Sequence, residues 1–268
     1  MVNISEPALV FVLFALCFLT SCQGNGEISK TAPVITDTIP YDAIETSHDY
    51  LMGRFDPAIR PEFVKIDTMH ADRAGLYLRK DTYVAYKKMA AAAAKDGVQF
   101  IIRSATRNFD YQKGIWERKW TGKTKLEGNE DATTMANYRE RALAILRYSS
   151  MPGTSRHHWG TDIDLNSFSN DYFSEGQGKK EYDWLLANAA RFGFCQPYTA
   201  KGPDRPDGYE EEKWHWSFYP VSLVLTRAAS EKLNDEMIDG FSGSTSATEI
   251  DVLQKYILGI NQSCVLQD

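Results

Sequence analysis

Positive charge is in short supply. Thirty Lys and Arg face 36 Asp and Glu, for a net charge of −6 over 268 residues. A nucleic-acid binder normally carries a basic surplus or stripe, and neither is present. Mild acidity by itself names no substrate. The apolar run at residues 8–20 is short of the roughly 20 residues a membrane-crossing helix needs. No internal repeat is present. There is no H-E-x-x-H, so the zinc arrangement that places two histidines on one helix turn is excluded. Cysteine is scarce, at four, and histidine numbers five. What remains is ordinary: 43% apolar, 25% charged and 12% aromatic residues. That composition excludes a disordered, collagen-like or coiled-coil chain. A chain this long buries a real core without staples.

The run ALVFVLFALCFLT at residues 8–20 has the length of a signal-peptide core. It ends in Leu19-Thr20-Ser21-Cys22, which resembles the lipobox of bacterial lipoproteins. The segment before it, residues 1–7, carries no Lys or Arg and contains Glu6. The resemblance implies cleavage before Cys22, lipidation of Cys22, and a membrane-anchored lipoprotein facing the periplasm or cell envelope. The mature chain then carries −5, since only Glu6 is lost. Residues 22–40 are polar, with Gly and Pro and no period, and read as a tether. Residues 41–268 read as one domain with a C-terminal helical extension. Only Cys195 and Cys264 remain for it. In an oxidising compartment they either pair or stay as two buried thiols.

Within that domain, residues 41–75 show no clear pattern. The alanine-rich stretch 81–95 predicts a helix stopped by Gly97. Val98-Gln99-Phe100-Ile101-Ile102 predicts a short strand. Helices are expected over 107–120, 134–148, 182–192, 221–233 and 249–260, and strands over 161–165 and 214–219. Loops are expected at 121–131 and 199–211, and a Gly/Ser segment at 240–246. Helices and short strands mix without βαβ regularity, so the expected class is α+β.

Three of the five histidines fall in two short motifs. The first is Ser155-Arg156-His157-His158-Trp159-Gly160-Thr161-Asp162-Ile163-Asp164; the second is Glu212-Lys213-Trp214-His215. Two imidazoles and a carboxylate are a common ligand set for catalytic zinc, with a fourth position left for water. Such water needs a nearby base during attack, and Glu212 lies three residues before His215.

Ser155-x-His157-x-x-Gly160-x-x-x-Asp164, followed by Glu212-x-Trp214-His215, resembles the VanY-type zinc D-Ala-D-Ala carboxypeptidases. A third stretch agrees: Ser104-Ala105-Thr106-Arg107-Asn108-Phe109-Asp110-Tyr111-Gln112 resembles that family's S-x-x-R-x-x-x-x-Q segment. The resemblance covers roughly residues 75–220. It implies the fold shared with lysostaphin-type endopeptidases and the hedgehog signalling domain: a small antiparallel sheet carrying a zinc site, flanked by helices. It implies that His157, Asp164 and His215 hold one Zn2+, that Glu212 is the general base, and that Arg107 supports the oxyanion. Ser155, Gln112 and Trp214 are expected to contact substrate. Gly160 is expected to make the turn that brings His157 and Asp164 to one metal.

The sequence departs from the family at Asp162, where alanine is usual. Residues two apart on a strand share a face, so Asp162 either points at the metal or accepts from an imidazole N–H. His158 is expected to be structural. Trp159, Trp214 and Trp216 read as pocket wall and core, or as ligand readers. Tyr209 either covers the site or lies on the surface.

The expected function is a monomeric, zinc-dependent D-alanyl-D-alanine carboxypeptidase acting on the peptidoglycan stem peptide. The alternatives are an endopeptidase of the same fold, cutting an L-Ala-D-Glu bond or a crosslink, and a non-enzymatic module that keeps zinc for structure.

Overall fold

Helices and short strands alternate irregularly along the chain, and the strands collect into two antiparallel sheets. The computed structural model describes Met1 and residues 44–265. The expected signal peptide, the tether and Cys22 lie outside the described residues. Among the described residues, no helix is long and apolar enough to cross a membrane. In chain order come α1 (His48–Leu51), β1 (Phe63–Lys65), β2 (Tyr77–Arg79), α2 (Lys80–Lys95), β3 (Ile102–Ser104), α3 (Phe109–Trp120) and α4 (Tyr138–Ile145). Then follow β4 (Asp162–Leu165), α5 (Gly176–Asn188), β5 (Phe194–Cys195), β6 (His215–Phe218), α6 (Tyr219–Lys232) and α7 (Ala247–Ile250). The expected α+β class holds.

The larger sheet runs β3-β4-β6-β5. Its register decides the chemistry. Asp164 sits opposite His215, Ile163 opposite Trp216, and Asp162 opposite Ser217. Ser104 pairs with Asp164 across an irregularity in β3, and Cys195 pairs with Ser217. Cross-strand partners share a face, and neighbours along a strand alternate. One face therefore carries Ile102, Ile163, Leu165, Phe194, Trp216 and Phe218, all in the larger apolar core. The opposite face carries Ser104, Asp162, Asp164, His215 and Ser217. All four β4 and all four β6 residues are buried, so this polar face is covered too. Buried carboxylates and imidazoles require partners, and the partners define the site.

α2 packs Tyr86, Met89 and Ala93 into the same core, with Val221 and Leu225 from α6. α2 stops as expected at Gly97, which takes φ +73°. The Val98 and Gly97 N–H groups return to the Ala93 and Ala94 carbonyls, closing the end of the helix. A second apolar cluster joins Trp116 and Trp120 of α3, Ile145 of α4 and Ile250, Val252 and Ile260 of the C-terminal segment.

Several elements differ from the sequence expectation. The strand lies at Ile102–Ser104 rather than 98–102. Val98 is spent closing α2, and Ile101 N–H donates to the Asn166 side chain instead of a strand ladder. The helix expected over 134–148 is only α4, because Asn137 caps it by accepting from Glu140 N–H. The helix expected over 182–192 starts earlier, at Gly176, and ends at Asn188, with a tighter turn to Phe192 before Gly193. The helix expected over 249–260 is not continuous. α7 ends at Ile250, where Asp251 takes φ +64°, and a wider helical turn follows at Leu253–Ile257. That break lets Leu253 N–H donate to Asp235 Oδ1.

Cys195 and Cys264 form a disulfide with 5.6 Å between their Cα atoms, tying the C-terminal segment to β5. For a separation of 69 residues the chain-entropy model gives about 4 kcal/mol of stabilisation. Reduction, or Cys264→Ser, is expected to lower the unfolding free energy by that order. Denaturant titrations with and without reductant check it; coincident curves would rule the contribution out.

Candidate metal centre

The polar face of the sheet places Asp164 and His215 side by side. The third group, His157, comes from a tight helical turn at Arg156–Trp159 that ends in Gly160 at φ +72°. The first strand pair and α1 brace this turn from outside it. Arg79 N–H donates to Gly160 O, Tyr50 OH to Trp159 O, and the Trp159 indole N–H to Leu51 O. A Cβ on Gly160 would lie 2.4 Å from Phe63 Cε1, and φ is left-handed. Gly160→Ala is therefore expected to cost at least about 1–3 kcal/mol from backbone strain alone. A denaturant midpoint unchanged from wild type would contradict this.

His157, Asp164 and His215 each offer one ligand atom, and the three atoms lie within 4.8 Å of one another. All three residues are buried. His157 Nδ1 lies 2.8 Å from Ala105 O, so Nδ1 carries the proton and Nε2 presents a lone pair. Burial, reinforced by Arg107, holds His157 below the ordinary histidine range and keeps it neutral. Its Nε2 then faces Asp164 Oδ2 at 3.3 Å, acceptor against acceptor. His157 Nε2 and Asp164 Oδ1 are both buried without a hydrogen-bond partner. Two orphaned acceptors in one buried site fit a cation between them.

His215 points the same way. Its Nδ1 lies 3.3 Å from Asp164 Oδ1 and 3.1 Å from Glu212 Oε2. Burial opposes charge on the ring, but Asp162, Asp164 and Glu212 outweigh it and hold His215 well above the ordinary range. The imidazolium proton supplies positive charge that the surrounding carboxylates require. A divalent ion fits that requirement with the proton displaced from Nδ1.

Asp162 is not a fourth ligand. Its Oδ2 accepts from His215 Nε2 at 2.8 Å and from Arg156 Nε at 3.2 Å. Its Oδ1 accepts from the Thr161 and Ser217 hydroxyls, both at 2.7 Å. Burial raises the cost of its charge, yet Arg156 and His215 hold it well below the usual carboxylate range. Asp162 therefore orients the His215 ring and fixes which nitrogen faces the metal site. The sequence left this position open; the register with Ser217 closes it. Asp162→Asn is expected to weaken metal binding about 10–100-fold. Competition with a chromogenic chelator checks this, and unaltered affinity would contradict it.

Glu212 is buried, and burial raises its pKa above the usual carboxylate range despite His215 beside it. Its N–H donates to Tyr198 O, and its carbonyl accepts from Gln196 Nε2. Arg107 Nη1 donates to Ser104 Oγ at 2.9 Å and lies 3.5 Å from Asp164 Oδ2. Its Nε is buried without a partner. His158 holds this segment: Nδ1 lies 2.6 Å from Arg107 O, while Nε2 accepts from Gly153 N–H. Burial pushes His158 down to about 3, so it stays neutral and structural.

A cavity of about 450 Å³ opens onto these groups, lined by His157, Asp164, Glu212, Arg107 and Trp214 among others. Trp214 packs edge-on to Phe168 and near Tyr148, so it is cavity wall. Trp159 and Trp216 are core. Ser155 and Gln112 do not line this cavity. Gln112 Nε2 donates to Ser150 O, while its Oε1 and the Ser155 hydroxyl are buried without partners. Tyr209 is buried against Tyr198 and Tyr256 rather than lying on the surface. Arg156 was not singled out in the sequence; its adjacency to His157 gave no signal of its partner Asp162.

Residues 75–221 match the model of the VanY family, described as D-alanyl-D-alanine carboxypeptidase. The chain belongs to the VanY family. A relative is YodJ of Bacillus subtilis (strain 168), whose name assigns it provisionally as a carboxypeptidase. It is 30% identical over 141 residues, which are 52% of this chain and 45% of YodJ. The match thus spans less than half the length of that relative. Among solved structures, VanYB in complex with D-alanine-D-alanine is 23% identical, covering 63% of this chain and 83% of that one, with a TM-score of 0.46. A mutant VanY D,D-pentapeptidase of the VanB-type resistance cassette, in complex with Zn(II), gives 23%, 65%, 87% and 0.46 in the same order. The LD-carboxypeptidase LdcB gives 21%, 78%, 81% and 0.46. The VanY match begins after the 48–65 segment that contributes to the brace and ends before the C-terminal segment.

Proposed function

We propose that this chain is a zinc-dependent D-alanyl-D-alanine carboxypeptidase acting on peptidoglycan stem peptides. The observation that carries the reading is the pair of orphaned acceptors, His157 Nε2 and Asp164 Oδ1, beside His215 Nδ1 and the buried Glu212. The donor set of two nitrogens and one carboxylate suits zinc and leaves coordination open. The Zn(II) complex of a VanY relative is consistent with that choice.

His157, Asp164 and His215 would hold the ion, which when bound supplies Lewis acidity to polarise the scissile carbonyl and acidify water. Glu212 takes the proton from the attacking water and returns it to the leaving amine. A pKa raised by burial favours uptake of that proton. Arg107, which lines the cavity, would support the oxygen that becomes negative. Asp162 keeps the His215 ring in register as charge moves. No nucleophilic side chain is required, so no acyl-enzyme forms. A purely structural zinc site needs no buried base, which argues against the binding module.

Lipidation of Cys22 and export to the cell envelope complete the proposal. The Cys195–Cys264 disulfide supports it, since disulfides persist in oxidising compartments. The test is incubation with a stem pentapeptide and a crosslinked muropeptide, with and without chelator, and product identification by mass. Loss of one D-Ala from the pentapeptide, abolished by chelator, is the expected result. Release of D-Ala from a tetrapeptide instead would make it an L,D-enzyme. Cleavage within the stem or crosslink would make it an endopeptidase, and no product from the zinc-bound protein would leave only binding.

A further inference from the structure

The cavity that opens onto the metal centre is lined by three more cations: Lys119, Lys125 and Arg147. Two of them are matched by acids. Lys125 pairs with Asp131 at 2.5 Å, and Arg147 with Glu130 at 3.5 Å. Lys119 is not: among the described residues its ammonium meets no carboxylate, and it donates only to Ser149 Oγ, at 2.7 Å. α3 aims it, since Ile115 and Lys119 are four residues apart and line the same cavity.

We propose that Lys119, with Ser149, binds the free C-terminal carboxylate of the substrate and so restricts this site to the last peptide bond. The inference rests on the peptidase reading above and names the part of the substrate that reading leaves unrecognised. Lys119 keeps two N–H donors beyond the one given to Ser149. Ser149 Oγ accepts from Lys119, which leaves its own hydroxyl hydrogen to donate. Three donors converging from an ammonium and a hydroxyl complement the two oxygens of a carboxylate. Burial lowers the Lys119 pKa, with Glu212 and Glu127 acting the other way. A partly desolvated cation with no carboxylate in contact is relieved by an incoming anion. An internal peptide bond presents no such charge, and the cation would be buried without its partner.

The experiment measures binding of two probes to the zinc-loaded Glu212→Gln protein by calorimetry. One is an acyl-D-Ala-D-Ala peptide with a free carboxylate; the other is its C-terminal amide. Charge-assisted hydrogen bonds predict that the free acid binds about tenfold or more tightly than the amide. Adding Lys119→Gln should remove that preference while amide affinity stays unchanged, which also shows that the cavity is intact. Lys119→Arg should keep part of the preference. Equal binding of acid and amide to the Lys119 protein, or a preference that survives Lys119→Gln, overturns the proposal. Turnover by the protein with Glu212 is measured in parallel. If neither probe is cleaved while the Lys119-dependent preference is seen, the carboxypeptidase reading fails and the carboxylate site stands.

Discussion

Glu212→Gln is expected to retain zinc and to lose about 10²–10⁴-fold in kcat on a stem pentapeptide. The substitution keeps the shape of a buried side chain whose carboxylate lies 3.1 Å from His215 Nδ1. It removes the only feature a base requires, the capacity to take a proton. Glu212 is not one of the three proposed ligands, so metal content should hold near one ion per chain. The two readouts separate base from ligand. Loss of metal together with activity would make Glu212 a ligand. Retained turnover would remove it from the proton-transfer role.

Asp164→Ala is expected to show a different signature, with metal and activity lost together. Asp164 faces His157 Nε2 and His215 Nδ1 at 3.3 Å each, so among the described residues it is the one acid that touches both imidazoles. Without it, two rings remain with centroids 4.7 Å apart and no anion between them. Zinc content measured after dialysis should fall to background, and turnover should drop by more than the Glu212→Gln loss. Added zinc should not restore it. Near-stoichiometric zinc in Asp164→Ala would place the ion elsewhere.

The sequence carried the site further than the fold. The motifs at 155–164 and 212–215 require only that β4 and β6 pair in the register that sets Asp164 against His215. Period-2 alternation then delivers the polar face without further information. Asp162 was readable as a residue on that face but not as a partner of His215 Nε2. Choosing between ligand and orienting carboxylate needs Arg156 and Ser217 in three dimensions, and Ser217 lies 55 residues away. Lys119 and Ser149 meet across 30 residues, with no spacing signature to announce them.

The N-terminal part of the domain was illegible for a related reason. β1 and β2 are three residues each, and with Tyr50 of α1 they grip the Arg156–Trp159 turn, Arg79 of β2 donating to Tyr50 OH and Tyr50 OH to Trp159 O. Such short strands leave little period to detect. The C-terminal break failed differently. Residues 249–260 have helical apolar spacing, but Asp251 leaves the helix and Gly259 packs under Gly208. Tertiary contact overrode local preference there.

The central claim is that His157, Asp164 and His215 converge on a single zinc ion. An anomalous difference map of a zinc-soaked crystal, recorded at the zinc edge, tests it directly. The expected result is one strong peak about 2.0–2.2 Å from His157 Nε2, an Asp164 oxygen and His215 Nδ1, with Asp162 still bonded to His215 Nε2. A peak coordinated by other residues, or none among these three side chains at saturating zinc, would contradict it.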